Sequence, residues 1–290
     1  MRSEKEMLEL ILGVAEKDAR VRAVYMNGSR TNPNVAKDAF RDYDVVYVVT
    51  ETKPFVENPD WISVFGEAAM VQEPDRNDLA RGAAMDFSRS FAWLILFRDG
   101  NRIDLQIETM DVVRETYGGD TLTVPLLDKD GLLPALPPAS DAGYAIQKPS
   151  EAVYHAAAND FWWCLNNVAK GIVREQLPYA MWMYHCVVRD ELEHMIEWYV
   201  GMRNGFRVTT GAHGKYFQKY LPEPLYAMYA KTFSDGDYAR LWDAVFTACA
   251  LFSVLAREVA SGLGYTYREQ EEEGALAYLH GMKDCEFRLD

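Results

Sequence analysis

One stretch, residues 26–49, limits the fold and chemistry of this chain more than any other. A Gly28–Ser29 pair follows an apolar run, as a tight turn at the end of a strand does. After a polar connector, Asp42 and Asp44 open a run of valine and tyrosine that predicts a buried strand. Because successive side chains of a strand point to opposite faces, the two aspartates share one face.

Two carboxylates held side by side at the end of a buried strand repel each other and lose hydration. A bound divalent cation would remove that cost, since hard cations such as Mg²⁺ take carboxylate and phosphate oxygens as ligands. Gly28 and Ser29 would offer backbone N–H and hydroxyl donors to the phosphates. The stretch therefore predicts a metal–nucleotide site. Each motif alone has a plainer interpretation, because a Gly-Ser turn is usually only a turn and Asp-x-Asp is usually a solvated strand start.

A third acidic residue lies in a later predicted strand. Asp99–Gly100 predicts a hairpin turn between an apolar run and a return strand at 102–108. Alternation along the return strand puts Asp104 on its polar face, where it joins the other two aspartates if the two strands are neighbours. As a solvent-facing residue of an edge strand Asp104 needs no further explanation, and the pattern alone favours that interpretation.

The chain divides by pattern into two parts. Short strands and turns dominate up to a proline-rich segment at 134–149, and from residue 150 onward the apolar positions repeat at helical spacing. We place the boundary near residue 140, which gives one domain at 1–140 and another at 141–290. The predicted fold class is α+β, with a mixed β-sheet flanked by helices in the first domain and a helical bundle in the second.

The pattern also predicts individual elements. Ser3 and Glu6 form a capping-box pattern at the start of a first helix. Predicted strands lie at 21–26, 45–49, 68–72, 91–97 and 102–108, and predicted long helices at 150–171, 177–200 and 238–260. Residues 77–89 give no clear signal.

Composition limits the partners. The formal net charge of −14, from 44 acidic against 30 basic residues, disfavours nucleic acid and favours a cationic small molecule, although solubility alone also accounts for it. The mixed charges of the N-terminus do not resemble a signal peptide, and no stretch approaches the length of a transmembrane span. The four separated cysteines predict reduced thiols. We expect a cytoplasmic monomer or weak homodimer with no nucleic-acid or membrane partner.

The chain resembles the bacterial aminoglycoside 6-adenylyltransferases, which inactivate streptomycin, in the segments NGSRTNPN, FRDYDVVYVVT, ILFRDGNRIDL and LLDKD. The Lys170–Gly171 helix end is also similar to a segment of that family. The Gly-Ser, Asp-x-Asp and later strand aspartate look like the signature of the wider nucleotidyltransferase superfamily related to polymerase beta. The similarity runs over nearly the whole chain.

This resemblance implies a nucleotidyltransferase domain at 1–140 and a substrate-binding helical domain at 141–290. It implies Mg²⁺-dependent transfer of AMP from ATP to a hydroxyl of a streptomycin-like aminoglycoside, so that ATP and a cationic small-molecule acceptor are the expected partners. The implied catalytic and metal-binding residues are Asp42, Asp44 and Asp104. The implied nucleotide-binding residues are Gly28, Ser29, Arg30 and Lys170.

Several alternatives stay open. Arg30 would serve equally well by bonding a turn carbonyl instead of a phosphate. Trp182 stands where, by resemblance, the streptomycin enzymes carry an aspartate, so a different small molecule or a protein hydroxyl is an alternative acceptor. A non-catalytic nucleotide-binding module is a further alternative, against which the three intact aspartates argue. We expect Trp162, Trp163 and Trp182 to pack in the core rather than stack on a ligand.

Overall fold

The computed structural model describes residues 1–284, apart from the side chain of residue 59. The chain forms two compact units, Met1–Gly143 and Tyr144–Asp290, each with a hydrophobic core of its own. The binding role that the sequence assigns to each unit stays a prediction. Cys164, Cys186 and Cys249 are free thiols, as expected, and Cys285 lies outside the described residues.

The N-terminal unit contains a six-stranded mixed sheet. Its strands are β1 (Val21–Asn27), β2 (Tyr43–Val49), β3 (Ala68–Gln72), β4 (Ser90–Phe97), β5 (Arg102–Thr109) and β6 (Val124–Asp128). In space they lie in the order β3-β4-β5-β2-β1-β6, with β2 and β5 parallel and the other neighbours antiparallel. Burial alternates along β4 and β5, whereas β2 is buried along almost its whole length because both faces of the sheet are covered.

Helices flank this sheet on both faces. They are α1 (Glu4–Lys17), α2 (Lys53–Val56), α3 (Pro74–Ala80) and α4 (Met110–Thr116), with a 3₁₀ helix at Pro59–Phe65. Met7 and Ile11 of α1 pack in the core on one face, and Val113 of α4 packs in the small cluster on the other. The predicted capping box is confirmed, since Ser3 and Glu6 exchange hydrogen bonds at the start of α1.

The C-terminal unit is a helical bundle. Its helices are α5 (Glu151–Val173), α6 (Leu177–Met183), α7 (Arg189–Arg203), α8 (Phe217–Tyr220), α9 (Glu223–Lys231), α10 (Tyr238–Leu263) and α11 (Glu269–Lys283). Shorter turns are the 3₁₀ helix Ala212–Gly214 and the π-helical turn Tyr184–Val188, and a further 3₁₀ helix, Asp141–Tyr144, spans the boundary of the two units in the sequence. The two longest helices meet in the core, where the rings of Phe161 in α5 and Phe252 in α10 stack with centroids 3.8 Å apart.

Helix α10 corrects one expectation. It is 26 residues long, and an 18-residue window within it has a mean hydropathy of 1.5, so by length and composition it could cross a membrane. The sequence pattern suggested that no stretch came near this length. The reason is that α10 is the central helix of the bundle, where a wide apolar stripe is buried against its neighbours.

The predicted fold class, α+β with a mixed sheet and a helical bundle, is confirmed. The sequence missed α2, α11, α3, which runs into the segment that gave no signal, and β6, which ends within LLDKDG. It also ran α6 and α7 together as one helix at 177–200, whereas a π-helical turn lies between them. A π turn adds one residue to a helical turn, and this leaves the apolar spacing too similar to that of an α-helix to be noticed.

We expect Phe252→Ala to lower the free energy of unfolding of the C-terminal unit by about 3–5 kcal/mol, because both stacked rings are fully buried and the cavity cannot close. Urea unfolding followed by circular dichroism measures this loss. Val254→Ala, at an exposed position of the same helix, should change it by only about 0.5 kcal/mol. Equal losses in the two variants would contradict this account of the core.

Candidate active site

The candidate site lies at the start of β2, where this strand pairs with β5. The two strands are parallel, and Asp44 lies opposite Asp104 in their register. Hydrogen-bonded strands are about 4.8 Å apart, so the two side chains are immediate neighbours on one face. Asp42 comes two residues before Asp44 and just before the strand begins, and it lies on that same face. The sheet therefore brings the three predicted aspartates together.

Arg102 links two of these aspartates, and the sequence analysis did not single it out. Its Nε and Nη2 donate to the two carboxylate oxygens of Asp104, both at 2.7 Å. Its Nη1 lies 3.3 Å from Asp42 Oδ2. The signal that could have found it is its position two residues before Asp104, which places both side chains on one face of β5. Arg102 thus supplies one positive charge to a cluster of three negative ones.

The electrostatics of the cluster are unfavourable in spite of Arg102. Burial, followed by the negative charges of Asp104 and Asp42, raises the pKa of Asp44 to about 6. Burial is also the main cause that raises the pKa of Asp42, and Arg102 is the main group that opposes it. A raised pKa means that the charged form of the carboxylate is less stable in this site than it is in water. The site would therefore gain from a further positive charge.

The Gly28 turn touches the Asp44 carboxylate. Gly28 follows β1 and has a φ of +76°, a left-handed conformation that favours glycine, and a Cβ at this position would come 2.1 Å from Asp44 Oδ2. The turn is closed by Thr31, whose backbone N–H and hydroxyl both donate to the Gly28 carbonyl. Ser29 lies within this turn, as the sequence predicted, and its carbonyl accepts from Asn32 N–H. Only glycine allows the turn to approach the carboxylate so closely.

Arg30 is turned toward the backbone of its own loop. Its guanidinium donates to the carbonyl oxygens of Arg41 and Asp42 and stacks over the Tyr43 ring, with 3.7 Å between its Cζ and the ring centroid. Arg41 reaches back to the carbonyls of Ser29 and Arg30, both at 3.5 Å. The two arginines thus hold together the ends of the loop that joins the turn to the aspartates. This is the carbonyl-bonded alternative for Arg30, and phosphate binding by this residue stays a prediction.

A pocket of about 340 Å³ opens over the paired strands. Its lining residues are Asn27, Gly28, Asp44, Val45, Val46, Asp104, Gln106 and Asp120. Asn27, Gln106 and Asp120 were not predicted. Gln106 follows Asp104 on the same face of β5, so the alternation rule could have found it. Asp120 comes from the loop after α4, and strand periodicity carries no information about such a position.

The residues of this pocket suit a hard divalent cation. The donors are carboxylate and amide oxygens, which Mg²⁺ and similar cations prefer. The pKa of Asp44 is raised mainly by burial and then by the neighbouring carboxylates, so a bound cation would favour its charged form. Within residues 1–284, a tighter set of acidic oxygens and a histidine nitrogen occurs in α7, at Asp190, Glu191 and His194, but clusters of this kind at a surface are common without a metal. The carboxylates of Asp42, Asp44 and Asp104 are not grouped as closely as this set, and both oxygens of Asp104 accept hydrogen bonds from Arg102.

The sequence of the chain matches a known family. The sequence model of the streptomycin adenylyltransferases covers residues 1–282. The chain belongs to this family. The enzyme is 33% identical to the aminoglycoside 6-adenylyltransferase of Campylobacter jejuni, over 94% of this chain and 93% of that protein. The enzymes of that name from Bacillus subtilis and Staphylococcus aureus are each 32% identical, over 97% and 94% of this chain and 98% and 96% of theirs.

A crystal structure of an aminoglycoside 6-adenyltransferase from Bacillus subtilis also matches. The match has 29% identity and a TM-score of 0.47, and it covers 98% of this chain and 99% of that one. Family membership through the sequence identifies the protein as an enzyme of the adenylyltransferase type.

Lys170 lies in the C-terminal unit of the enzyme. Its Nζ donates to Asn166 Oδ1 at 2.8 Å, one turn earlier in α5. It lines a pocket of about 540 Å³ between α5 and α11, together with Trp163 and Glu271. Its predicted contact with a nucleotide phosphate stays a prediction.

The three tryptophans of the C-terminal unit differ from one another. Trp162 is buried, as expected of a core residue. Trp163 is 69% exposed and Trp182 is 58% exposed, so the expectation of core packing was wrong for these two. They lie on exposed helix surfaces, but their apolar character and spacing in the sequence are the same as those of core residues.

Gly28→Ala tests the contact between the turn and Asp44. The left-handed backbone should cost about 1–2 kcal/mol, and displacement of the Asp44 carboxylate should add to this. Gly131→Ala is the matched control, because Gly131 has a similar φ of +68° but open space around its Cβ position. Urea unfolding should show a larger loss for Gly28→Ala. Equal losses in the free energy of unfolding of the two variants would mean that the close approach of Gly28 to Asp44 does not affect stability.

The raised pKa of Asp44 predicts a pH dependence of stability. Its folded-state pKa of about 6 lies above the ordinary value of 3.8, so its contribution is present at low pH and lost as the pH rises through about 6. In chelator, Asp44→Asn should therefore become more stable relative to wild type as the pH rises, by on the order of 2 kcal/mol at neutral pH. Unfolding titrations across this range measure the difference.

Asp99→Asn is the control, because its stability relative to wild type should change with pH in the opposite direction. A hydrogen bond from Arg2 is the main cause that lowers the pKa of Asp99, so this carboxylate stabilises the fold above its ordinary pKa. Its replacement should cost stability at neutral pH and cost progressively less toward acid. The account of Asp44 fails if both variants show the same trend with pH.

Proposed function

We propose that this enzyme transfers AMP from ATP to a hydroxyl of a streptomycin-like aminoglycoside, with Mg²⁺ as cofactor, and thereby inactivates the antibiotic. The observation that carries the proposal is the register of the parallel strands, which sets Asp44 against Asp104 beside the Gly28 turn. The relatives named as aminoglycoside 6-adenylyltransferases support the acceptor class. We expect the enzyme to act in the cytoplasm, as a monomer or weak homodimer.

The chemistry requires in-line attack of the acceptor hydroxyl on the α-phosphorus of ATP, with pyrophosphate as the leaving group. Asp42, Asp44 and Asp104 would hold the cation, which when bound neutralises charge on the phosphate oxygens. The Gly28 turn, with Ser29, would donate hydrogen bonds to the phosphates. Asp104 has two candidate roles, as a ligand of a second ion or as the base that takes the proton of the hydroxyl.

The remaining nucleotide contacts are assigned by resemblance. Arg30 would have to leave the carbonyls of Arg41 and Asp42 to reach a phosphate, whereas Lys170 would have to leave only the side chain of Asn166. Lys170 is therefore the better supported of the two, since it would give up one hydrogen bond to a side chain in the preceding turn of its own helix.

The acceptor is the finer part of the proposal. The formal net charge of −14 favours a polycation such as an aminoglycoside. Trp182 is 58% exposed and stands where, by resemblance, streptomycin enzymes carry an aspartate. An indole can stack on a sugar ring or on a guanidinium plane, but it cannot pair with a guanidinium as a carboxylate does. We therefore expect streptomycin to be a weaker acceptor than a related aminoglycoside with fewer guanidino groups.

Asp44→Asn should lower pyrophosphate release by a factor on the order of 10²–10³ or more, because the variant loses a charged oxygen ligand while the fold is kept. The assay contains ATP, Mg²⁺ and a panel of aminoglycosides with and without guanidino groups. Asp130→Asn is the control, since Asp130 is paired with Arg22 at the surface of the same unit. A fully active Asp44→Asn variant would refute the metal role.

The same assay separates the alternatives. Wild-type turnover with another acceptor, and none with aminoglycosides, would show a nucleotidyltransferase of different specificity. Nucleotide binding without release of pyrophosphate for any acceptor would indicate a non-catalytic module.

A further inference from the structure

The guanidinium of Arg102 lies between Asp104 and Asp42, two of the three aspartates proposed as metal ligands. Both oxygens of Asp104 accept from it at 2.7 Å, and Asp42 Oδ2 lies 3.3 Å from its third nitrogen. This fork geometry is the strongest that an arginine makes with a carboxylate. A cation of higher charge that binds the same carboxylates must compete with it, because hard cations require those oxygens.

The Arg102 side chain can also move away from the aspartates. Its side chain is 40% exposed, so the guanidinium can be hydrated once it turns away from Asp104. An ion pair at this level of exposure is weak compared with a pair in the protein interior. Asp44 lies opposite Asp104 in the register of the parallel strands, so this one guanidinium stands among three neighbouring carboxylates. A single positive charge, the guanidinium of Arg102, thus offsets the charge of the carboxylates, and a divalent cation could replace it.

We propose that Arg102 is an internal counter-ion, which holds Asp104 and Asp42 in the metal-free enzyme and is displaced when the divalent cation binds. This inference rests on the proposed function, because it takes the three aspartates as the metal ligands. Arg102 acts through these ligands and is a positioning residue. It limits the repulsion among the carboxylates before the cation arrives, and it sets how much free cation is needed to fill the site.

Arg102→Gln tests this proposal with Mn²⁺ as the probe, since Mn²⁺ accepts the same oxygen ligands and its binding is measured directly by electron paramagnetic resonance. Without the competitor, the variant should bind Mn²⁺ roughly 5- to 10-fold more tightly than wild type, within the usual range of coupling between linked binding events. In chelator the variant should have a lower Tm than wild type. Mn²⁺ should then raise its Tm by more than it raises that of wild type.

Three further variants serve as controls. Arg22→Gln removes another arginine–aspartate pair of the same unit, with Asp130, and should leave Mn²⁺ affinity unchanged. Arg102→Lys keeps the charge but not the fork, so its affinity should fall between wild type and Arg102→Gln. Arg102→Gln combined with Asp104→Asn should lose the gain, because the contested oxygens are no longer charged.

The proposal is overturned if Arg102→Gln binds Mn²⁺ no more tightly than wild type while Asp44→Asn binds it more weakly, since Arg102 would then be a structural residue of an intact metal site. If Asp44→Asn instead leaves Mn²⁺ affinity unchanged, the proposed metal site itself fails and the inference fails with it. Should Arg102→Gln not fold, Arg102→Lys decides the matter, and an affinity equal to that of wild type would refute the competition.

Discussion

The parallel pairing of β2 with β5 is the constraint on which the rest of the site depends. In a parallel pair like ends meet, so an aspartate near the start of one strand lies beside an aspartate near the start of the other. Had β5 run antiparallel to β2, the same two residues would lie about a strand length apart, roughly 20 Å. The site therefore does not follow from the three aspartates alone. It requires that the chain pass through β3 and β4 before it returns beside β2.

This arrangement lowers the stability of the fold at the place where we propose that catalysis occurs. The valines of β2 are buried, and their burial favours the strand strongly, whereas the aspartates at its start repel one another and lose hydration. Two features limit the cost. Arg102 supplies a positive charge, and the absence of a side chain at Gly28 lets the turn pass directly over Asp44. A loop clamped at both ends by Arg30 and Arg41 keeps the turn in place.

Much of this could be deduced from the sequence, and what could not has physical reasons. The three aspartates follow from strand alternation, which depends only on local geometry. That Asp104 lies beside Asp44 does not, because the pairing joins residues 60 positions apart and no local pattern specifies a partner. The orientation of the Arg30 side chain could not be predicted from the sequence either. It depends on carbonyl groups and an aromatic ring that approach Arg30 only when the loop is folded. The exposed tryptophans and the π-helical turn were not predicted for a different reason. Their local spacing in the sequence is almost the same as that of a regular core helix.

The two units differ in how freely their functional residues can change. A shift of one residue in the register of β2 would send every side chain of that strand to the other face, so the positions of Asp44 and its buried neighbours are linked. Trp182 is on an exposed helix surface, where a substitution typically alters stability little. If the proposed roles hold, the chemistry of nucleotidyl transfer is tied to the sheet, whereas the choice of acceptor can change one surface residue at a time. Trp182, which by resemblance stands where we expect an aspartate in the streptomycin enzymes, is the kind of difference that this asymmetry permits.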